Sequence, residues 1–492
     1  MVRPHPVPPG RRPPPDPVGA TRTGDTLRGG VRRGGLTSVP GARPGRRAPG
    51  RPGATAARSG ALSPVRGVSH VICLTVRPSS GHVLLGCPAV ISFGPSPAPA
   101  VCRTALALVV VLLMLATTGW TAVRHSGTPR DPRAAQLAQW RTARVLGRPL
   151  PDADGPPART AAFLASVGPA GRQGLARRFP LVVGNLNGAP AALRYRANRI
   201  ALGRALGQER ARLATAPLSP HGRRLALRRV HRLEALMRPG RQILAFDPAG
   251  RGRVAEVLGD LDRAERISVI VPGVDTHLLT FQRTSRRYSA PVGMAESLYA
   301  AERAAAPGTR TAVIAWADYT APVGLGMDSV TGRLAEEGAL RLTALADALP
   351  RRAGVALFCH SYGSVVCGLA ARGLPARVTD IAVAGSPGMR ASHVTELGAR
   401  ARVWATRDGD DWIGAVPHLE VGGLGHGEDP VAPEFGARVV SAAGAIGHSG
   451  YFEPGTESVV NFAAIGVGAY HGVSCAGADD TCRSDIHGEA AA

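Results

Sequence analysis

From residue 240 onward, short apolar runs alternate with longer amphipathic ones, and that rhythm limits the chain to few architectures. Ile243–Phe246 and Val254–Leu258 read as strands around the turn residues Asp247-Pro248-Ala249-Gly250, which makes a hairpin. Ile267–Val271 is a solid apolar strand stopped by Pro272-Gly273. A helix is expected around Val292–Ala304, a strand at Thr311–Trp316, a helix over Gly332–Leu349 and a strand at Gly354–Phe358. A small-residue helix follows from Gly363 to Ala371, then strands at Asp380–Ala384, Arg402–Ala405 and, more weakly, Arg438–Ser441. Strands alternating with helices close into a mainly parallel sheet with helices on both faces, wound right-handedly.

The rest of the chain divides by composition. Residues 1–100 are rich in Pro, Gly and Arg with little periodicity, so they cannot bury enough apolar surface to fold, and a disordered head is expected. Thr104–Val123 is uncharged over 20 residues between Arg103 and Arg124, the length of a membrane-spanning helix. A basic head favours an N-terminus inside and the remainder of the chain outside. The alternative is a cleaved signal and a secreted protein, should translation begin near Val101. Residues 124–238 read as a helical extension, with three- and four-residue apolar spacing over Ala134–Leu146 and Asn198–Thr215. The organisation expected is therefore a head at 1–100, a transmembrane helix or signal-anchor at 104–123, the extension at 124–238, an α/β domain at 239–475 and a polar tail at 476–492.

The net charge is +24, every basic residue among the 59 Lys+Arg is Arg, and residues 1–103 carry 15 of them against Asp16 and Asp25. With so much Ala, Gly and Pro, the arginines reflect a GC-rich coding bias. No helix-turn-helix, zinc finger or aromatic-interleaved basic motif accompanies them, so nucleic acid is not an expected partner. No C-x-x-C pair occurs among the seven Cys, and neither a metal nor a cofactor is expected. Cys359 and Cys367 read as core residues. Cys475 and Cys482 either close a small disulfide loop in an exported domain or remain free thiols.

The chemistry concentrates at Phe358-Cys359-His360-Ser361-Tyr362-Gly363-Ser364, between an apolar strand and the small-residue helix. That is the arrangement of a nucleophile elbow, in which a sharp turn lifts a serine Oγ clear of the sheet. Positions two before and two after the serine need small side chains; Gly363 meets this fully and Cys359 less so. Ser361 is the expected nucleophile, and an initial hairpin followed by parallel strands makes the expected fold an α/β-hydrolase.

A serine needs a base and the base an orienting carboxylate, in the chain order Ser, acid, His for this fold. Past the strand at Arg402–Ala405 come Asp408, Asp410 and Asp411. Asp411 is favoured because Ile413 two residues on would anchor the loop; Asp408 is the main rival and Asp410 the weaker one. His448, in a loop beyond the last strand, is the favoured base over His426, His418, His471 and His487, and the glycines flanking His426 suggest a mobile loop. Two backbone amides must hold the oxyanion. Tyr362, next to the nucleophile, supplies one, and Val274, in the loop after Ile267–Val271, supplies the other. Asp275 reads as a turn residue.

A series of motifs accompanies the elbow: Gly184-Asn185-Leu186-Asn187-Gly188-Ala189-Pro190, then Arg194 and Ala197-Asn198-Arg199, Val271-Pro272-Gly273, Trp316-Ala317-Asp318-Tyr319-Thr320-Ala321-Pro322, Gly385-Ser386-Pro387-Gly388, Gly427-Glu428-Asp429-Pro430, Phe435-Gly436-Ala437-Arg438 and His448-Ser449-Gly450-Tyr451. Together they resemble an actinobacterial α/β-hydrolase family catalogued as a domain of unknown function. The sequence departs from it at Cys359, where the family usually has Gly, and at Asp318, where Gly is common. The resemblance implies the fold and a Ser-Asp-His hydrolase without naming a substrate. The expectation is a serine hydrolase, esterase- or lipase-like, acting on a small-molecule or lipid ester, with a catalytically silent binding or cell-envelope protein as the alternative.

Overall fold

The computed structural model describes residues 131–477, 480–484 and 486. The expected head and the segment Thr104–Val123 lie outside these residues. Among the described residues no helix is long and apolar enough to cross a membrane.

Eight strands form one sheet: β1 (Gln242–Asp247), β2 (Arg253–Gly259), β3 (Arg266–Val271), β4 (Thr311–Ala317), β5 (Gly354–His360), β6 (Val378–Ala384), β7 (Arg402–Thr406) and β8 (Arg438–Val439). Their spatial order is β1-β2-β4-β3-β5-β6-β7-β8. β2 pairs antiparallel with β1 and β4, and every other neighbouring pair is parallel. The sheet is buried on both faces, so its strands are nearly continuous in apolar residues. In β5, Val355, Leu357 and Cys359 point into one core and Ala356 and Phe358 into the other, the two-residue period of a strand. The first core is roofed by α7 (Arg333–Ala348) and α8 (Gly363–Ala370), the second by α6 (Pro291–Ala305) and α9 (Glu457–Val467). The sheet and its two helical layers are the α/β-hydrolase fold.

The extension holds α1 (Pro132–Thr142), α2 (Pro157–Ser166), α3 (Gly168–Arg178), α4 (Ala191–Thr215) and α5 (Pro220–Leu236). The first helix ends four residues before the expected Leu146, because Leu146 and Gly147 both take positive φ and turn the chain into a two-residue hairpin. The expected helix from Asn198 instead starts at Ala191, directly after Pro190, whose lack of an N–H suits a helix start. Trp140, Phe163 and Phe179 build a small core of their own, whereas Leu202, Leu233 and Leu236 merge with the sheet's second core.

The extension covers the open edge of the sheet, which would otherwise present unpaired backbone groups. Asn185 Nδ2 donates to the Phe246 carbonyl at 2.8 Å, and its Oδ1 accepts from the Phe246 amide at 3.0 Å. Arg194 Nε donates to the Leu244 carbonyl at 3.1 Å, and Asn198 Nδ2 to the carbonyls of Ile243 and Gly184, each at 2.9 Å. The family-like residues of this region therefore clamp β1. Burial pulls the Arg194 guanidinium down to about 10.

The tail is tied to the domain. Cys482 is bonded to Cys475, and Arg438 at the start of β8 donates to the carbonyls of Cys482 and Ser484.

Replacing Asn198 by Ala leaves the carbonyls of Gly184 and Ile243 buried without this donor, a loss of about 1–3 kcal/mol. Thermal denaturation of Asn198→Ala should show a clearly lowered Tm. An unchanged Tm would show that the clamp is not needed to hold the edge strand.

Candidate active site

β5 ends at His360 and α8 begins at Gly363, so Ser361 occupies the turn between them. Its φ is +55°, a left-handed conformation costly for any residue with a Cβ. The surroundings fix it there. The Ser361 amide donates to the Ala384 carbonyl at 3.0 Å, its carbonyl accepts from the Ser364 amide at 2.9 Å, and Ser364 Oγ donates to the Cys359 carbonyl at 3.3 Å. A Cβ on Gly363 would lie 2.2 Å from the Val271 carbonyl oxygen, so only glycine fits at this position. The two cysteines read as core residues are in fact joined: Cys359 on the strand and Cys367 on the helix form a buried disulfide across the elbow. Their eight-residue spacing gave no hint of it, because the pairing exists only once the elbow folds the helix back onto the strand.

His448 Nε2 lies 2.9 Å from Ser361 Oγ, and His448 Nδ1 lies 2.9 and 3.0 Å from the two oxygens of Asp411. The structure thus brings together the three residues favoured from the sequence. Burial opposes the charge on Asp411, but hydrogen bonds from His448, from the Tyr451 hydroxyl at 2.5 Å and from the Ile413 amide at 2.9 Å outweigh it. They hold the carboxyl below the ordinary carboxylate range. Asp408 does not reach His448. Its Oδ2 accepts from the Gly447 amide at 2.7 Å, fixing the loop that carries the imidazole. Asp410 is exposed.

Gly385 sets the fit of the Asp–His pair. Its φ is +54°, and a Cβ there would lie 2.7 Å from Asp411 Oδ2 and 3.1 Å from His448 Nδ1. His360 supports His448 from the other side. Its Nε2–H donates to the His448 carbonyl at 2.6 Å, and burial, followed by the neighbouring His448, pushes its pKa down to about 3, so it remains neutral. His360, Tyr451 and Gly385 had no role assigned from the sequence; only their places within the family-like motifs marked them.

The loop after β3 passes against Ser361: a Cβ at Gly273 would lie 2.6 Å from that of Ser361. Tyr319 Oη donates to the Pro272 carbonyl at 2.5 Å and secures this loop. The backbone amides of Val274 and Tyr362 donate to no acceptor among the described residues. Asp275 is a turn residue with φ +56°, and its Oδ1 accepts from the Gly324 amide at 3.1 Å.

His426 is not in a mobile loop. It is buried, its Nε2–H donates to the Ser329 carbonyl at 2.7 Å, and its ring stands edge-on to Tyr362 with centroids 5.6 Å apart. Its flanking glycines serve close backbone packing, not motion. A cleft of about 660 Å³ beside α5 and one of about 440 Å³ between the extension and the sheet do not border Ser361, which is only 6% exposed.

Residues 247–421 match the model of the family described as alpha/beta hydrolase. That span has the α/β-hydrolase fold. The matched span includes Ser361 and Asp411 and ends before His448. Uncharacterized proteins of Mycobacterium tuberculosis and Mycobacterium bovis are 33% identical over 170 residues, which is 32% of this chain. The match spans 62% of the length of those relatives. Among solved structures, the dienelactone hydrolase of Anabaena variabilis aligns at 17% identity and TM-score 0.24, over 34% of this chain and 72% of that one. A 2,6-dihydroxy-pseudo-oxynicotine hydrolase aligns at 12% identity and TM-score 0.23, over 51% and 81%. Scores that low add nothing to the assignment.

Gly385→Ala should fold and yet displace the Asp411–His448 pair. A shift of about 1 Å in such a group costs on the order of a hundredfold in rate. The hydrolase domain of this variant should show a kcat lowered by about that factor with an unaltered circular dichroism spectrum. Wild-type kcat would show that the close contact is not needed to position the pair.

Proposed function

We propose that the chain is a serine hydrolase that cleaves carboxylic esters through Ser361, His448 and Asp411. The observation that carries this reading is the continuous hydrogen-bonded series from Ser361 Oγ through His448 to Asp411, with Ser361 held at φ +55°. Ser361 Oγ attacks the ester carbonyl carbon while His448 Nε2 takes its proton. Asp411 keeps the imidazole in the tautomer with Nδ1 protonated and stabilises the imidazolium that forms. The amides of Tyr362 and Val274 receive the oxyanion. Collapse expels the alcohol, which takes the proton from His448 and leaves an acyl group on Ser361. Water, deprotonated by His448, then releases the acid and restores the serine.

A fluorophosphonate probe should label the wild-type chain and not Ser361→Ala. The same substitution should lower hydrolysis of p-nitrophenyl esters by several orders of magnitude. Labelling or wild-type turnover in a folded Ser361→Ala chain would refute the assignment.

We further propose that Thr104–Val123 holds the chain in the membrane with the hydrolase domain outside. Two disulfides in the described residues favour an oxidising compartment, since cytosolic thiols are kept reduced. Protease shaving of intact cells should remove the domain. Full-length protein recovered from the cytosol, untouched by protease, would overturn this; a trimmed form in the medium would favour the secreted version.

A further inference from the structure

Thirteen large hydrophobic side chains are exposed among the described residues, and nine of them lie at one end of the sheet. It is the end that carries Ser361. The loop after β4 exposes Val323, Leu325, Met327 and Val330, with Leu325 69% and Met327 62% exposed. The loop after β7 exposes Trp412, Leu419, Val421 and Leu424, with Val421 at 69%. Ile446, two residues before His448, is 81% exposed.

The two larger loops form one surface, continuous with the site. Thr331 bridges Leu424, His426 bonds the Ser329 carbonyl, and the Tyr362 hydroxyl donates to the Thr331 carbonyl at 2.9 Å. Trp412 lies with its ring centroid 4.8 Å from that of His448. Soluble monomers seldom leave apolar side chains grouped in this way without a partner.

Charge narrows the partner. The exposed charges among these apolar residues are Asp328, Arg333, Asp410 and Glu420. Asp328 and Glu420 are paired with Arg333 and Arg390. Each arginine is thus matched by an acid, and Asp410 is left over, so these loops carry no net positive charge to attract an anionic surface. A second feature concerns the chain's entry. Arg133, near the start of the described residues, lines a cleft together with Asp318, five residues before Val323. In the anchored reading above, the seven residues 124–130 span at most about 25 Å between the membrane helix and this end of the domain.

We propose that this apolar rim docks on an uncharged lipid surface, so that the substrates are water-insoluble esters drawn from a lipid phase. The proposal rests on the serine-esterase reading of the same site. Rim side chains entering the lipid bring the mouth of the site against the aggregated substrate, and the free energy comes from apolar area removed from water.

The test follows the rate on glycerol tributyrate through its solubility limit, using the full chain. The wild type should show a steep rise, several-fold or more, once a second phase forms. The variant Leu325→Ser/Met327→Ser/Val421→Ser should keep the rate on dissolved ester within about twofold and lose that rise. A wild type with no rise, or a variant that retains it, would overturn the proposal. So would a loss on dissolved ester equal to the loss on droplets, since that marks a packing role. Sedimentation in lipid-free buffer adds a further arm: a dimer that the triple variant dissociates would assign the rim to a second copy and overturn it as well. If the folded wild type cleaves no dissolved ester, the esterase reading itself fails, and the two failures remain distinct.

Discussion

The backbone at Ser361 is held where a serine does not rest by choice. A left-handed residue between a buried strand and a helix persists only when its neighbours over-determine it. Here β5 is locked between β3 and β6, and Ser364 bonds back to the Cys359 carbonyl. The Cys359–Cys367 disulfide ties the strand to the helix on either side of the turn. A crosslink closing a loop of this length removes about 2–3 kcal/mol of unfolded-state freedom. Cysteine at 359, a departure from the glycine usual in the family it resembles, is thus a second means of fixing the elbow and leaves its geometry intact.

His448 and Asp411 are placed against that fixed point but come from loops, and loops need their own restraints. Asp411 sits at the centre of them. Its two oxygens take hydrogen bonds from His448, Tyr451 and the Ile413 amide, so its charge is satisfied although the side chain is buried. Asp408 secures the amide of Gly447, and His360 secures the carbonyl of His448. The imidazole is therefore held at its backbone from two sides and at its ring from a third. Such a network is worth more complete than in part, because any member left unpaired in a buried site costs free energy.

The edge of the sheet and its Ser361 end have opposite character. At the extension, polar side chains from Asn185, Arg194 and Asn198 satisfy the edge strand β1 and bury an arginine to do so. At the end of the sheet that carries Ser361, apolar side chains such as Leu325 and Val421 stand in solvent. The first arrangement stabilises the fold; the second has no such use within a single chain. Structural and functional motifs can thus be separated by where their hydrogen bonds go, even when both resemble the same family.

The sequence alone determined the strand-and-helix order, because period-2 and period-3.6 apolar patterns are local and the turn residues between them are unambiguous. It also singled out Ser361, since an elbow is a contiguous motif, and placed Asp411 and His448 as the favoured partners from chain order. It left Asp408 and Asp411 as rivals, because three residues apart in a loop both are free to point anywhere until Tyr451 and Gly447 are in place. It missed the start of α4, the role of His426 and the Cys359–Cys367 bond. Helix starts depend on packing, buried loops look like mobile ones when rich in glycine, and a disulfide is a fact of distance between residues that folding alone brings together. The apolar rim was equally invisible: Val323, Trp412 and Ile446 are separate residues in the sequence, and only the convergence of three loops at one end of a parallel sheet makes them a surface.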